Sequence, residues 1–243
     1  MRKLMFAVGG SLILVAPMSH ADVVGFGASV SYWDSDLSGK AATNNDVVDV
    51  ENDLNLDGDS NTNASLYLEH PVPVLPNVRL GYTLVEQSGR GDVGLTGFDG
   101  VTGEVQSDLD LEQLDLTLYY EVLDNWVNLD LGLTARDLSG ELLVKEAFTG
   151  VPSSETSIDA VIPMGYLAAR FDLPFTGVSV GAEGNFISFD GDSLHDFNAY
   201  GQFDMALVQF RAGYRRMSID YEDGNDRFDV EIGGPFVSAG VSF

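Results

Sequence analysis

The chain has 243 residues, no cysteine, and 38 Asp and Glu against 12 Lys and Arg, for a formal charge of -26. Such an acidic excess repels phosphate backbones and excludes nucleic acid as a partner, while the missing cysteines exclude a disulfide framework and thiolate metal sites. No segment holds the ~20 consecutive apolar residues that a membrane-spanning helix needs.

The chain opens with Arg2 and Lys3, an apolar run from Leu4 to Ala16 and the small-residue site Ser19-His20-Ala21. This order reads as a secretory signal peptide over residues 1–21. It predicts a mature domain of residues 22–243 with a charge of -28, from 10 basic and 38 acidic residues. From Val24 the sequence alternates: Val24, Phe26, Ala28, Val30 and Tyr32 stand against Gly25, Gly27, Ser29 and Ser31. A period of two with one apolar and one small polar face predicts a strand between two different surroundings.

The next polar stretch, Asp36 to Ser60, carries Asp53, Asn55, Asp57 and Asp59 at alternate positions with Gly58 sixth. Oxygen ligands at that spacing match the first half of a calcium loop. The twelfth position is Ala64 where a glutamate would complete the site, so a solvated acidic loop is the leading expectation and Ca2+ the alternative.

Further alternating segments follow at Asn61–His70, Asn77–Gln87, Asp108–Val122, Trp126–Leu138, Ile158–Asp172, Val178–Phe189, Leu194–Phe203, Leu207–Tyr221 and Arg227–Phe243. Pro163 and Gly165 leave the lipid face of the sixth strand open. Short connections at Pro71–Asn77, Leu123–Asn125, Leu173–Gly177 and Asp204–Ala206 alternate with the polar stretches Asp36–Ser60, Gly89–Ser107 and Ser139–Ser157 and with brief breaks at Asp190–Ser193 and Glu222–Asp226. That rhythm predicts an all-β, transmembrane antiparallel up-and-down β-barrel of about ten strands, with eight as the alternative count. Two strands change parity midway. Leu109 and Leu111 fall out of step with Leu114, Leu116, Leu118 and Tyr120, and Phe228, Val230 and Ile232 with Val237, Ala239, Val241 and Phe243. A bulge at Gly233-Gly234 is expected at the second slip.

The closing strand places Val237, Ala239, Val241 and terminal Phe243 on one face and Gly240 on the other. This ending resembles the C-terminal signal by which outer-membrane barrels are recognised for assembly. The segments His70-Pro71-Val72-Pro73-Val74-Leu75-Pro76-Asn77-Val78-Arg79, Asp172-Leu173-Pro174-Phe175-Thr176-Gly177, Gly213-Tyr214-Arg215-Arg216 and the closing Gly233-Gly234-Pro235-Phe236 resemble a bacterial family of outer-membrane β-barrels with a Gly-Gly pair near the end. More broadly the chain resembles the small OmpA, OmpX and OmpW barrels. The resemblance implies fold and location in the Gram-negative outer membrane, among lipid, lipopolysaccharide and the barrel-assembly machinery; it implies no activity.

With the lipid face so assigned, Glu69, Arg79, Asp115, Asp130, Arg136, Glu183, Asn198, Gln202, Arg211 and Arg215 point inward. Opposite charges in a narrow barrel can pair and fill it, and Arg binds carboxylates with a planar fork. Ten strands leave at most a thin passage. A structural or surface-interaction role with a charge-plugged lumen is therefore expected. A narrow channel for small or apolar solutes is the alternative, and a hydrolase built on His195 among Asp190, Asp192 and Asp196 is a third reading. Tyr32, Trp33, Tyr82, Tyr119, Tyr120, Trp126, Phe171 and Phe175 are expected at the bilayer interfaces as aromatic girdles.

Overall fold

The computed structural model describes residues 24–43, 46–56, 59–95, 97–151, 153–223 and 226–243. The expected signal peptide, residues 1–21, lies outside them. Among the described residues eleven strands form: β1 (Gly25–Thr43), β2 (Asp46–Asp49), β3 (Asp59–Glu69), β4 (Asn77–Asp92), β5 (Glu104–Asp124), β6 (Val127–Glu146), β7 (Ser153–Leu173), β8 (Val178–Phe189), β9 (Asp192–Met205), β10 (Val208–Asp223) and β11 (Asp226–Ser242). Each wall strand pairs antiparallel with its neighbours in chain order, and β11 returns to pair with β1 from Gly27↔Ser242 to Ala42↔Arg227. β2 only folds back on the outer end of β1. The wall is thus a closed ten-strand up-and-down barrel with no free sheet edge around its waist.

Alternation decides which side chains meet lipid. On β1 Phe26, Val30 and Tyr32 are exposed, on β5 Leu114, Leu116, Leu118 and Tyr120, and on β11 Val237 and Val241. Four or five such outward steps per strand span the ~25 Å apolar band of an outer-membrane barrel. One step further out the outward residues become charged, with Asp34, Glu86, Glu112, Asp137, Asp159 and Arg216 exposed. β7 obeys the same rule despite Pro163: Val161, Leu167 and Phe171 face out while Met164, Tyr166 and Ala168 face in.

Both parity slips have one physical origin, and it is not a bulge. β5 pairs β4 without interruption from Asn77↔Tyr119 to Asp92↔Glu104, and β10 pairs β11 without a shift through Arg216↔Gly233 and Arg215↔Gly234. The backbone keeps its period while the surroundings of the wall change. Inside the bilayer the outer face meets hydrocarbon, so apolar residues point out; beyond it the outer face meets water, so Leu109, Leu111, Val230 and Ile232 point in and are buried. A one-residue shift does occur elsewhere, between Glu121 and Leu123 at the inner end of β5.

The strands also run further outward than expected. β1 reaches Thr43, β4 reaches Asp92 and β5 begins at Glu104, while β6 to Glu146 and β7 from Ser153 take in most of the stretch 139–157. An apolar core fills the barrel at this outer end, and the added lengths contribute Ala41, Val105, Leu142 and Val144 to it. Leu37, Val85, Leu138, Met164 and Met217 from the wall pack with Val48, Val50, Leu54 and Leu56 from the first outer loop and Phe98 and Val101 from the second. Each such burial contributes roughly 1.5–3 kcal/mol. The Asp49 carboxylate helps shape that loop: it accepts the backbone N–H groups of Asn52 and Glu51, and the Asn52 contact foremost holds it below the ordinary aspartate range.

Candidate functional site

Beneath the apolar core the lumen is crossed by two layers of paired charge. In the upper layer Asp115 receives both Nε and Nη2 of Arg136 at 2.8 Å, a bidentate fork. Asp196 receives Arg136 Nη2 at 2.8 Å and both Nε and Nη2 of Arg215 at 2.9 and 2.8 Å. Arg215 also donates to Thr83 at 3.2 Å, which accepts from Asn63 at 2.7 Å, and its guanidinium lies 4.7 Å from the Trp33 ring. One connected set of side chains therefore ties β1, β3, β4, β5, β6, β9 and β10 across the barrel. Taking these charges out of water is costly, and the excellent geometry offsets that cost.

In the lower layer Glu183 accepts Arg79 at 2.8 Å and lies 3.9 Å from Arg211, whose Nε donates to Gln202 at 2.6 Å. Three inward tyrosines pack the cations: Arg79 stands 5.5 Å from both Tyr119 and Tyr166, and Arg211 4.5 Å from Tyr200. Lower still, Glu69 accepts the Tyr119 hydroxyl at 2.8 Å. Asp130 faces in at this end and makes no ion pair among the described residues. Between the layers a cavity of about 110 Å³ remains, lined by Ser29, Ser31 and Ser238 and by Arg79, Arg211 and Arg215.

Of the residues expected in the lumen, Arg79 with Glu183, Arg136 with Asp115, and Arg211 with Gln202 meet directly. Arg215 meets Asp196, which does not join the rim cluster with His195 that sequence proximity predicts, because strand parity turns the two residues to opposite faces. Asp196 is buried in the lumen, while His195 stands on the opposite face and stacks on Phe197 at 6.1 Å, so the pair is split by the wall. His70 is held at the inner turn by the Pro76 carbonyl and the Val72 N–H. Trp33 and Tyr119 are corrected in the same way: both are buried inside, whereas Tyr32, Tyr82, Tyr120, Trp126, Phe171 and Phe175 are exposed on the outer surface. The missed residues Trp33 and Asp196 were within reach, since each shares its face with positions already read as inward, Ser31 and Asn198.

In the calcium-like stretch, Asp53 accepts the Asp49 backbone N–H at 2.9 Å and Asn55 sits at φ 51°. Asp57 and the Asp59 side chain lie outside the described residues. At the C-terminus Phe243 stacks on Phe26 at 4.7 Å and exchanges two backbone hydrogen bonds with it, so the final residue fastens the seam where the barrel closes. Val237, Ala239, Gly240 and Val241 lie in the ladders with β1 and β10.

No protein-family model matches the sequence, and no curated protein matches it. In shape the chain is similar to the outer-membrane protease OmpT of Escherichia coli, with a TM-score of 0.56 at 8% identity over 90% of this chain and 97% of that one. Weaker likenesses are to Ail, the attachment invasion locus protein of Yersinia pestis (TM-score 0.40, 10% identity, 90% and 99% covered), and to a major outer membrane protein of Thermus thermophilus (0.39, 12%, 91% and 100%). The likeness to OmpT shows a shared closed β-barrel fold.

Proposed function

We propose that this chain is a non-enzymatic barrel of the Gram-negative outer membrane, closed to solutes along its lumen, that serves envelope structure or surface contact through its acidic outer rim. One observation carries the reading: two layers of ion-paired side chains lie across the barrel directly beneath an apolar core to which two outer loops contribute. An ion moving along the axis would have to break buried charge pairs and then enter a desolvated region, each step costing several kcal/mol. Lipid and lipopolysaccharide surround the apolar band in this reading. The assembly machinery reads the strand ending in Val237, Ala239, Gly240, Val241 and Phe243, and any Ca2+ sits in the first outer loop at Asp53, Asn55, Asp57 and Asp59.

Planar-bilayer recording tests it. The refolded chain is expected to insert without conductance steps. Reproducible openings that change when Arg79 or Arg211 is replaced by Ala would establish the narrow channel instead, with the cavity between the layers as part of its path.

A further inference from the structure

Several wall strands run outward past a neighbour, and the edges left on β4 and β7 are treated differently. β4 continues to Asp92 although its ladder with β3 ends at Thr62↔Leu84. The first outer loop closes that edge: Leu56 bridges Gly89, and the Asp53 carbonyl comes so near that a Cβ at Gly91 would lie 1.8 Å from it. β7 likewise extends outward to Ser153, although its ladder with β8 ends at Gly165↔Phe186, two residues short of Pro163, which has no N–H to donate. On its other side β7 stays paired with β6 up to Lys145↔Ser153. Among the described residues nothing hydrogen-bonds to the β8-facing backbone edge of residues 153–163.

An open row of backbone donors and acceptors is a template for another strand. We propose that the outer edge of β7, residues 153–162, docks an extended cationic peptide segment as an added antiparallel strand. The charge pattern chooses the occupant. Glu155 and Asp159 alternate along the outward side of this edge, and the register with β6 sets Asp137 opposite Val161 and Glu141 opposite Ser157 on the same face. Lys or Arg on the outward positions of an incoming strand would lie beside Glu155 and Asp159, with Asp137 and Glu141 adding their charge from one strand further away. A second copy of the chain, pairing antiparallel about Ser157, would oppose Glu155 with its own Asp159 and be repelled. The inference rests on the proposed function only for which end of the barrel faces outward; binding in micelles does not depend on a closed lumen, so bilayer recording and peptide binding fail independently.

The test uses the whole chain refolded in detergent micelles and three synthetic decapeptides: alternating Lys and Thr, alternating Glu and Thr, and the Lys peptide N-methylated at every second residue. The Lys peptide is expected to bind saturably and to slow hydrogen exchange at residues 153–162 alone. The other two should bind about tenfold more weakly or worse, and the Glu155→Lys, Asp159→Lys double variant should prefer the Glu peptide. Equal binding of the methylated peptide would reduce the effect to plain charge adhesion and overturn the docking edge. Protection elsewhere, no binding, or a peptide-free dimer protecting the same residues would overturn it as well.

Discussion

Arg136 and Asp196 meet at 2.8 Å in the middle of the barrel although their strands, β6 and β9, are separated in the wall by two others. Asp196 is also the forked acceptor of Arg215, so one carboxylate compensates two buried cations.

Asp196→Ala should therefore be far more damaging than an ordinary lumen substitution, because it leaves the buried Arg215 without its carboxylate and Arg136 with Asp115 alone. A loss of about 3–5 kcal/mol is expected, read as the urea midpoint of the refolded barrel in micelles. A variant within experimental error of the parent would show that the pair carries no stability.

At Gly234 the backbone of β11 lies against that of β1. A Cβ there would lie 1.8 Å from the Asp34 carbonyl, and Trp33 Nε1 donates to the Gly234 carbonyl at 3.2 Å. Gly234→Ala is expected to hinder closure of the seam and reduce the compact, heat-modifiable form on gels. Gly201→Ala, whose Cβ would meet nothing within 4 Å, is the control and should run as the parent. Identical gels for the two variants would contradict the close approach.

The two tryptophans report on opposite sides of the wall, Trp33 being 1% exposed in the lumen and Trp126 60% exposed beside Phe171. In vesicles of brominated phospholipid, Trp33→Phe, which keeps only Trp126, should lose most of its emission. Trp126→Phe, which keeps only Trp33, should lose little and should resist aqueous acrylamide too. Strong lipid quenching of Trp33 would reverse the assignment of inner and outer faces.

On the outer crown Asp110 sits in register between Glu86 on β4 and Glu141 on β6. Like charges directly opposite on one face destabilise the pairing. Asp110→Lys should raise the unfolding midpoint by roughly 0.5 kcal/mol at low ionic strength, and the gain should fade towards 1 M salt as the Debye length shrinks to ~3 Å. A gain independent of salt would point away from electrostatics.

How far the sequence could be read is seen best in β5 and β9. Leu114 to Tyr120 announced a lipid-facing strand, but the reversal at Leu109 and Leu111 looked like a slip because a period of two records alternation and not what lies outside each face. Asp196 was grouped with His195 because neighbours in sequence look like neighbours in space, whereas a strand sends them to opposite sides of the wall.

Local pattern was enough to determine an all-β wall of about ten strands, with eight left open, the order of turns and an inward set that includes Arg79, Asp115, Arg136, Glu183 and Arg215. These follow from a period of two and from turn residues, which act over a few positions. Which Arg meets which carboxylate, the unbroken register through Gly233-Gly234, the apolar core under the outer loops and the unpaired edge of β7 were decided only by closure. Strand register and barrel shear bring together residues as far apart in sequence as Gly27 and Ser242, and no short-range pattern encodes that alignment.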